Sequence, residues 1–394
     1  MKSNLNNNKG STLPLVMIIV FVMILLSMAL LDMGFIEAKY AINQEQRTQS
    51  YYIARSSAHA MAAHIMNNPW DVDDLIGHTG TGEYAGGSFK VTVSKTTDEN
   101  DIEVIRVHST SELLNYNNSK SVTLKRRPSS YFFDNAIAQN SEEKLDLGNL
   151  ELNSPETTSV PVESKGEISN PQNYNDDYEN GELELIKKEN PDLKFTESNF
   201  PTPGALDGDF IDLDAFIDDG HGTDEGSGSN QVITISPGNF SFGELKTPSS
   251  SSNRTLKFDT NGDEQIILVE NFDVQWNIEV VGGGRVSLYI TNSGNINTRS
   301  QIGENPSDFI IYMAKDKTLD LQTGNTLVNT YIYGPQSTIA LQGQVKINGA
   351  IVGKIVRRGE DHSEGPNGQL NYIPIPDAID LSDTLREYKI ISWE

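Results

Sequence analysis

The chain opens with a long uncharged stretch that runs from Leu13 to Leu31. Lys9 precedes this stretch and Asp32 follows it. About 19 helical residues, at about 1.5 Å each, span the roughly 30 Å hydrocarbon core of a bilayer. Because basic residues favour the cytoplasmic side, the pattern predicts a single-pass membrane anchor with its N-terminus inside and the rest of the chain outside. Four residues mark this anchor: Leu13, Pro14, Leu15 and Leu31.

The apolar stretch continues into an amphipathic one whose apolar side chains recur at helical spacing. Pro14 suits the first turn of such a helix, and Asn67–Pro69 provide its stop. The sequence therefore predicts one continuous helix within residues 11–69. A cleaved secretory signal, with Ser27 and Ala29 at its cleavage site, is the alternative.

Alternating apolar and polar residues follow over residues 87–127, in three runs separated by two polar clusters. Alternation with a period of two is typical of a half-buried strand, and the clusters supply turns. The pattern predicts a three-stranded antiparallel meander that covers the apolar face of the helix. Residues 70–128 would then complete a small α+β domain.

Short apolar runs recur through the C-terminal half at intervals of 22, 22, 21 and 19 residues. The runs begin at Ile266, Leu288, Ile310, Tyr331 and Ala350. A period near 20, with glycine and asparagine between β-branched runs, is typical of a parallel β-helix, in which each coil adds a strand to a shared sheet. We expect a right-handed parallel β-helix over residues 231–394, with its first rungs inside residues 129–230.

The end of the chain predicts a cap for this solenoid. Asp377–Glu394 has the pattern of a short amphipathic helix followed by a strand that carries Trp393. An open stack presents unpaired backbone groups that recruit other strands. We therefore expect this segment to cover the last rung.

Charge is concentrated between Ser141 and Glu225, where there are 23 acidic and 5 basic residues. This segment supplies 18 of the net charge of -25, and prolines interrupt it repeatedly. Such a composition predicts a solvated insertion. The negative charge of the whole chain also excludes nucleic acid as a partner, because phosphate binding requires basic residues.

Two acidic motifs are candidates for calcium, which prefers oxygen ligands. The first has four candidate ligands: Asp207, Asp209, Asp212 and Asp214. The second has the spacing of an EF-hand loop: Asp259, Asn261, Asp263 and Glu270. However, Glu264 occupies the place where that loop requires glycine, so an Asn-Gly turn explains the second motif better. We expect no cofactor, with calcium at the first motif as the alternative.

The sequence offers little catalytic chemistry. The chain has no cysteine, which excludes disulfides and thiol nucleophiles. The densest cluster of reactive side chains is Arg357–His362, and a surface loop beside the last rung explains it. We therefore expect a protein that is not an enzyme.

The N-terminal motifs resemble a known family. A polar leader ending in Lys9 and Gly10, followed by Ser11, Thr12 and the apolar helix, resembles the class III signal peptides of type IV pilins and type II secretion pseudopilins. The resemblance implies that a prepilin peptidase cuts after Gly10 and leaves Ser11 as the new N-terminus. It also implies other pilin subunits as partners and a place in the cell membrane or a pilus.

Two further resemblances sharpen this interpretation. The stretch QRTQSYYIARSSAHAMA resembles the helix of PilX-like minor pilins, and the fifth residue after the cleavage site is Leu15 where major pilins carry glutamate. That departure resembles tip-class members. The stretch YIYGPQSTIALQGQVKINGAIVGKIV and the closing SWE resemble uncharacterised β-helical domains that follow PilX-like anchors in some Gram-positive bacteria. This likeness covers roughly residues 131–394 and implies no activity.

These observations leave two functions open. One is a minor, tip-class type IV pilin that assists pilus assembly and displays the β-helix for adhesion to an unknown surface ligand. The other is a membrane-anchored extracellular protein whose β-helix is a binding module or a glycan-active domain, and which never enters a filament. In both cases the fold class is α+β: a leader over residues 1–10, a pilin-like helix with a small antiparallel sheet, then a mainly-β solenoid.

Overall fold

The structure is a computed structural model. It describes the chain apart from residues 1–11, 98–102, 128, 155–158, 170–183, 191–194, 196–197, 204–205, 248–253, 298–301, 358–366, 377–378, 380, 382–383, 386 and 394. The chain divides into two compact units. The anchor unit takes the chain up to Lys125 and again from Tyr388 onward, and the solenoid unit takes Arg126–Glu387.

The predicted long helix is confirmed as α1, which spans Thr12–Asn67 without interruption. Asn68 ends it, with its side-chain amide donating to the carbonyl of His64 at 3.1 Å. Pro69 then begins a short 3-10 turn, Pro69–Asp71, and α2 follows at Val72–Leu75. Proline lacks the N–H that a further helical turn would need, which explains why the helix stops where the sequence predicts.

The predicted antiparallel meander is also confirmed, and the sheet is larger than expected. Five strands lie in the order β1-β2-β3-β4-β20. Their bounds are β1 Thr79–Tyr84, β2 Gly87–Thr97, β3 Glu103–Leu113, β4 Tyr116–Arg126 and β20 Tyr388–Trp393. The last strand of the chain thus completes the sheet that the first three predicted strands begin.

The second half of α1 packs closely on this sheet. Ala54, Ala58 and Ala62 are fully buried at helical spacing, and their small side chains let the helix axis approach the strands. Two serine pairs fix the register: Ser57 Oγ lies 2.6 Å from Ser109 Oγ, and Ser111 Oγ donates to the carbonyl of Ser50 at 2.6 Å. These hydrogen bonds satisfy polar groups inside an otherwise apolar contact.

The parallel β-solenoid is confirmed and has about eight turns. Its strands are β5 Ile137–Gln139, β6 Asn149–Asn153, β7 Ser159–Ser164, β8 Glu184–Glu189, β9 Gly208–Phe210, β10 Gly222–Glu225, β11 Val232–Ile235, β12 Phe240–Lys246, β13 Thr255–Asp259, β14 Glu264–Val274, β15 Asn277–Val281, β16 Arg285–Ile296, β17 Phe309–Met313, β18 Thr318–Arg357 and β19 Asn367–Tyr372. The repeat in the sequence corresponds to the stacking of the strands. Equivalent residues of successive repeats lie in register on neighbouring strands: Ile267, Leu288, Ile311 and Ile332.

Stacking order differs from chain order. The largest sheet runs β8-β7-β5-β18-β17-β16-β14-β12-β9, so the chain enters the stack at β5, the third strand from one end. Ile137 of β5 pairs with Ile351 of β18. Only β19 follows β18 in the solenoid before the chain leaves it. The chain builds outward to β8, crosses to the opposite end at β9 and then winds back. The crossing, residues 190–207, can reach about 60 Å, which exceeds the roughly 40 Å that at least eight strand spacings require.

The acidic segment between Ser141 and Glu225 is folded in good part, contrary to our expectation of a solvated insertion. Its described residues include β6 to β10, and β7 pairs in parallel with both β5 and β8. Val160 and Val162 are fully buried, while Ser159 and Pro161 beside them are only partly buried. A strand on a stack needs only alternate apolar residues, so high overall charge does not prevent it from pairing.

The C-terminal segment does not end on the last rung of the solenoid, contrary to our expectation of a cap. Its strand β20 pairs with β4 in the anchor unit, and Trp393 stacks on His59 of α1 with ring centroids 6.0 Å apart. Arg55 lies over the same indole at 5.6 Å. An apolar edge strand needs a partner, and the unpaired edge of β4 supplies one as well as a solenoid end would.

A second layer covers one flank of the solenoid. Tyr289, Tyr312 and Tyr333 lie in register on successive strands. They point to the face opposite to that of Leu288 and its in-register neighbours, yet all three are buried. Two phenylalanines of the crossing lie against them. The ring centroid of Phe200 is 5.3 Å from that of Tyr289, and the ring centroid of Phe195 is 6.3 Å from that of Tyr333. The segment before β20 lies there too, since Tyr331 donates to the carbonyl of Pro374 at 3.0 Å.

We predict that Tyr388→Ala destabilises the anchor unit. Tyr388 is 2% exposed in the core between α1 and the sheet, and removing a buried aromatic ring costs about 3 to 5 kcal/mol. Hydrogen exchange of the β2–β4 amides would show the loss. The neighbouring exposed residue provides the control, because Lys389→Ala should change stability by less than about 0.5 kcal/mol. Equal protection in both variants would contradict a structural role for β20.

Candidate functional site

The most distinctive surface is the exposed apolar half of α1. Leu13, Leu15 and Leu31 expose 72%, 58% and 62% of their surface, and Pro14 is exposed between them. Among the residues that the structure describes, α1 is the one helix long and apolar enough to cross a membrane. The processing residues Gly10 and Ser11 lie outside the described part of the chain.

Side chains along this half suit an apolar environment. The hydroxyl of Ser27 donates to the carbonyl of Met23 at 2.8 Å, so its polar group is satisfied within the helix. Among the described side chains of α1, the first half-buried one is Asn43, which leaves Leu13–Ile42 free of the sheet over about 45 Å at 1.5 Å per residue. That length exceeds the roughly 30 Å of hydrocarbon, so a further stretch of exposed helix lies between the apolar run and the sheet.

Two hairpin turns of the antiparallel sheet, β1–β2 and β3–β4, lie beside the helix near the point where its exposed part ends. Gln49 donates to the carbonyl of Ala85 in the β1–β2 turn at 2.6 Å, and Asn118 beside the β3–β4 turn donates to the carbonyl of Arg47 at 3.3 Å. These bonds tie the helix to the sheet at the point of emergence. The exposed half of α1 therefore extends beyond the sheet from a part of the helix that these hydrogen bonds hold in place.

The structure does not bring the four calcium candidates together. Asp207 accepts a hydrogen bond from the amide of Asn239 at 2.8 Å, and Asp209 lies in β9. Asp212 caps the helix α3, Leu213–Asp218, by accepting from the Ala215 amide at 2.9 Å, and Asp214 lies in the first turn. Within the described part of the chain, no group of three His, Cys, Asp or Glu side chains is placed to hold a metal ion.

This segment instead closes one end of the solenoid. Phe216 of α3 is fully buried, 5.0 Å from Phe210 and 4.9 Å from Phe240 between ring centroids. The end strand β10 also pairs antiparallel with β11, which breaks the parallel stack. The sequence did not predict this aromatic cap, because the aspartates of DGDFIDLDAFIDD indicated metal binding instead. Its apolar residues at Phe210, Leu213 and Phe216 were the signal.

The second acidic motif is a turn, as expected. Asn261 and Gly262 adopt positive φ angles of 50° and 91° between β13 and β14. The carboxylate of Asp259 accepts from the Asn261 amide at 3.2 Å, and Glu270 lies within β14. Arg357 ends β18, and the remaining residues of its reactive cluster lie outside the described part of the chain.

Charge is divided unequally between the two units. The anchor unit's sequence contains 11 basic and 13 acidic residues, and the solenoid unit's contains 19 and 42, so 23 of the 25 net negative charges belong to the solenoid unit. A surface of this kind repels other acidic surfaces and favours solubility. The apolar helix and the acidic solenoid are therefore suited to different surroundings.

Comparison with known proteins identifies the central region but no activity. A family model described as "Domain of unknown function (DUF7305)" matches residues 212–372. No curated protein matches the chain. The chain is similar to the crystal structure of the competence-associated pilin ComZ from Thermus thermophilus, with 11% identity and a TM-score of 0.29 over 89% of this chain and 97% of that chain. A TM-score this low supports no conclusion about this chain.

We predict that Asp212→Ala lowers the free energy of unfolding of the solenoid unit by about 1 kcal/mol, whereas Asp212→Asn changes it by only a few tenths. Asparagine caps a helix nearly as well as aspartate, so the pair isolates the capping hydrogen bond. Thermal melting in chelator and in calcium checks this. A calcium-dependent rise in Tm that both variants lose would contradict a purely structural role for Asp212.

Proposed function

We propose that the chain is a minor, tip-class subunit of a type IV pilus-like filament, which inserts through α1 and displays the acidic solenoid outside the cell. The observation that supports this most is the form of α1: one unbroken helix whose first half is exposed and apolar and whose second half packs on an antiparallel sheet. A simple anchor needs only the first half.

The continuity of the helix has a physical use in a filament. A subunit that leaves the bilayer must exchange lipid contacts for contacts with neighbouring subunits, and a rigid helix keeps its apolar surface in a fixed relation to the sheet. The serine and alanine contacts of the second half supply that rigidity. The leader motif at Gly10 and Ser11 would release the helix from its polar extension, as the resemblance to class III signal peptides implies.

Leu15 supports a terminal position rather than a repeated one. In the family that the leader resembles, a glutamate at this place meets the N-terminal amine of a neighbouring subunit. A subunit with nothing above it needs no such carboxylate. Leucine also lies more favourably in the bilayer before assembly, because a charged side chain inside it is costly.

The alternative is a membrane-anchored β-solenoid that stays in the bilayer and acts by binding. The two proposals share the helix and the membrane, and they differ in processing and in assembly. In either case we propose a non-enzymatic role. The solenoid's outer charge favours a neutral or cationic surface ligand over an acidic one, since like charges repel.

We predict cleavage after Gly10 when the full chain is produced together with a prepilin peptidase, so that the mature protein begins at Ser11. Mass spectrometry of the N-terminal peptide gives the answer directly. Gly10→Leu should block processing. Gly34→Leu is the control, since Gly34 has open space around it, and it should leave processing unchanged. A mature chain that begins at Met1 or at Leu30 would exclude the pilin proposal.

We predict that Leu15→Glu leaves processing intact but costs about 1 to 3 kcal/mol before assembly, because it places a charge within the membrane segment. Leu15→Gln would separate the effect of charge from that of polarity. Immunogold labelling measures where the protein lies on filaments. Wild-type labelling should be sparse or terminal; dense labelling along the whole shaft would contradict the tip assignment.

A further inference from the structure

Three residues of the solenoid unit lie beside the two points where the chain passes between units. These residues, Arg127, Tyr131 and Glu387, are called the neck cluster below. The backbone N–H of Arg127 donates to the carbonyl of Glu387 at 2.9 Å, which joins the outgoing and returning chain directly. Arg127 also lies over the ring of Tyr131, with its Cζ 3.9 Å from the centroid.

The ion pair in this cluster is incomplete. Arg127 Nε lies 3.4 Å from Glu387 Oε1, and the two side chains are only 26% and 14% exposed. Arg127 Nε and the second oxygen of Glu387 are buried and have no hydrogen-bond partner. A buried carboxylate is stable only when hydrogen bonds replace its lost hydration, and here the charge attraction acts almost alone.

The surroundings shift the proton equilibrium of Glu387. Burial raises the pKa of its carboxyl from 4.5 to about 7, although the Arg127 charge acts in the opposite direction. Burial likewise raises the pKa of Tyr131 to about 12, with Glu387, Glu163 and Asp134 adding to the effect, so Tyr131 stays neutral. Glu387 is therefore the group of the neck cluster that changes charge near neutral pH.

We propose that the neck cluster is a proton-operated latch, which holds the outgoing and returning chain together more firmly in mildly acidic than in mildly alkaline surroundings. When the carboxyl is neutral, Arg127 keeps its contact with Tyr131 and no buried carboxylate remains unsolvated. When the Glu387 carboxyl ionises, the neck cluster contains a carboxylate that water would solvate better than the folded protein does. The inference concerns the solenoid unit alone and does not depend on whether α1 enters a filament.

The direction of the pH dependence follows from the linkage between proton binding and folding. The folded state binds the proton of Glu387 more tightly than the unfolded state does, so the neck's stability is greatest below about pH 4.5 and falls as the pH rises. The fall is complete once the pH has passed about 7. Between about pH 5.5 and about pH 7.5, the shift corresponds to a loss of protection on the order of tenfold.

Hydrogen exchange of the full chain in detergent micelles tests the latch. After correction for intrinsic exchange rates, peptides covering Arg127 should lose protection roughly tenfold between about pH 5.5 and about pH 7.5. The amide of Ile351, which donates to the Ala136 carbonyl at 2.9 Å deep in the stack, is the internal reference and should not follow. A neck whose protection is independent of pH would overturn the proposal without any variant.

Two glutamine variants locate the effect. Glu387→Gln should remove the pH dependence and keep the protection that the wild type shows in acid, because the amide copies the neutral carboxyl. Glu270→Gln alters an exposed glutamate of β14 and should keep the wild-type dependence. An unchanged pH dependence in Glu387→Gln would assign the proton to another group and would also overturn the latch.

Discussion

The pairing of β5 with β18 is the constraint on which the solenoid unit depends. Here the first strand of the solenoid pairs with a late one inside the stack, with Ile137 beside Ile351. Tyr372 at the end of β19 seals the junction by donating to the carbonyl of Asp134 at 3.0 Å. Because the chain enters and leaves at neighbouring places, its last residues can return to the sheet in the anchor unit. The same arrangement requires a connection from β8 back to β9 at the opposite end, and Phe195 and Phe200 of this connection help to bury the tyrosine flank.

Because the chain enters the stack between its two ends, internal segments of the chain form both ends. One end has the aromatic cap around Phe216 and the antiparallel strand β10. At the other end, the last described strand, β8, carries Lys187, Lys188 and Glu189. Charges on an edge strand oppose pairing with another molecule. The acidic segment therefore contributes to both ends, and its charge protects the edges that a solenoid must leave open.

The anchor unit joins two opposite demands in one helix. Its first half exposes large apolar side chains, which suit contact with lipid or with other apolar helices. Its second half must lie close to a sheet, so it presents alanines and paired serines such as Ser57 and Ser109. The proposed assembly role uses both halves. The neck cluster then lies where the chain leaves and rejoins this unit.

Local patterns determined much of this protein. The continuous helix, its stop at Pro69, the meander and the period near 20 residues all depend on neighbours in sequence, since they follow from side-chain periodicity and from the conformational limits of proline. The Asn261–Gly262 turn is local in the same sense. These features could be predicted because each residue needs only its neighbours along the chain.

Tertiary structure alone decided which elements meet. Nothing local distinguishes a β20 that caps a solenoid from one that completes a distant sheet, since either edge satisfies its backbone. The acidic segment was misjudged for a related reason: two valines at alternate positions suffice for a strand once β5 and β8 lie on either side. The pairs Arg127–Glu387 and Ile137–Ile351 join residues more than 200 positions apart. Such contacts depend on burial and stacking order, which a single sequence does not encode locally.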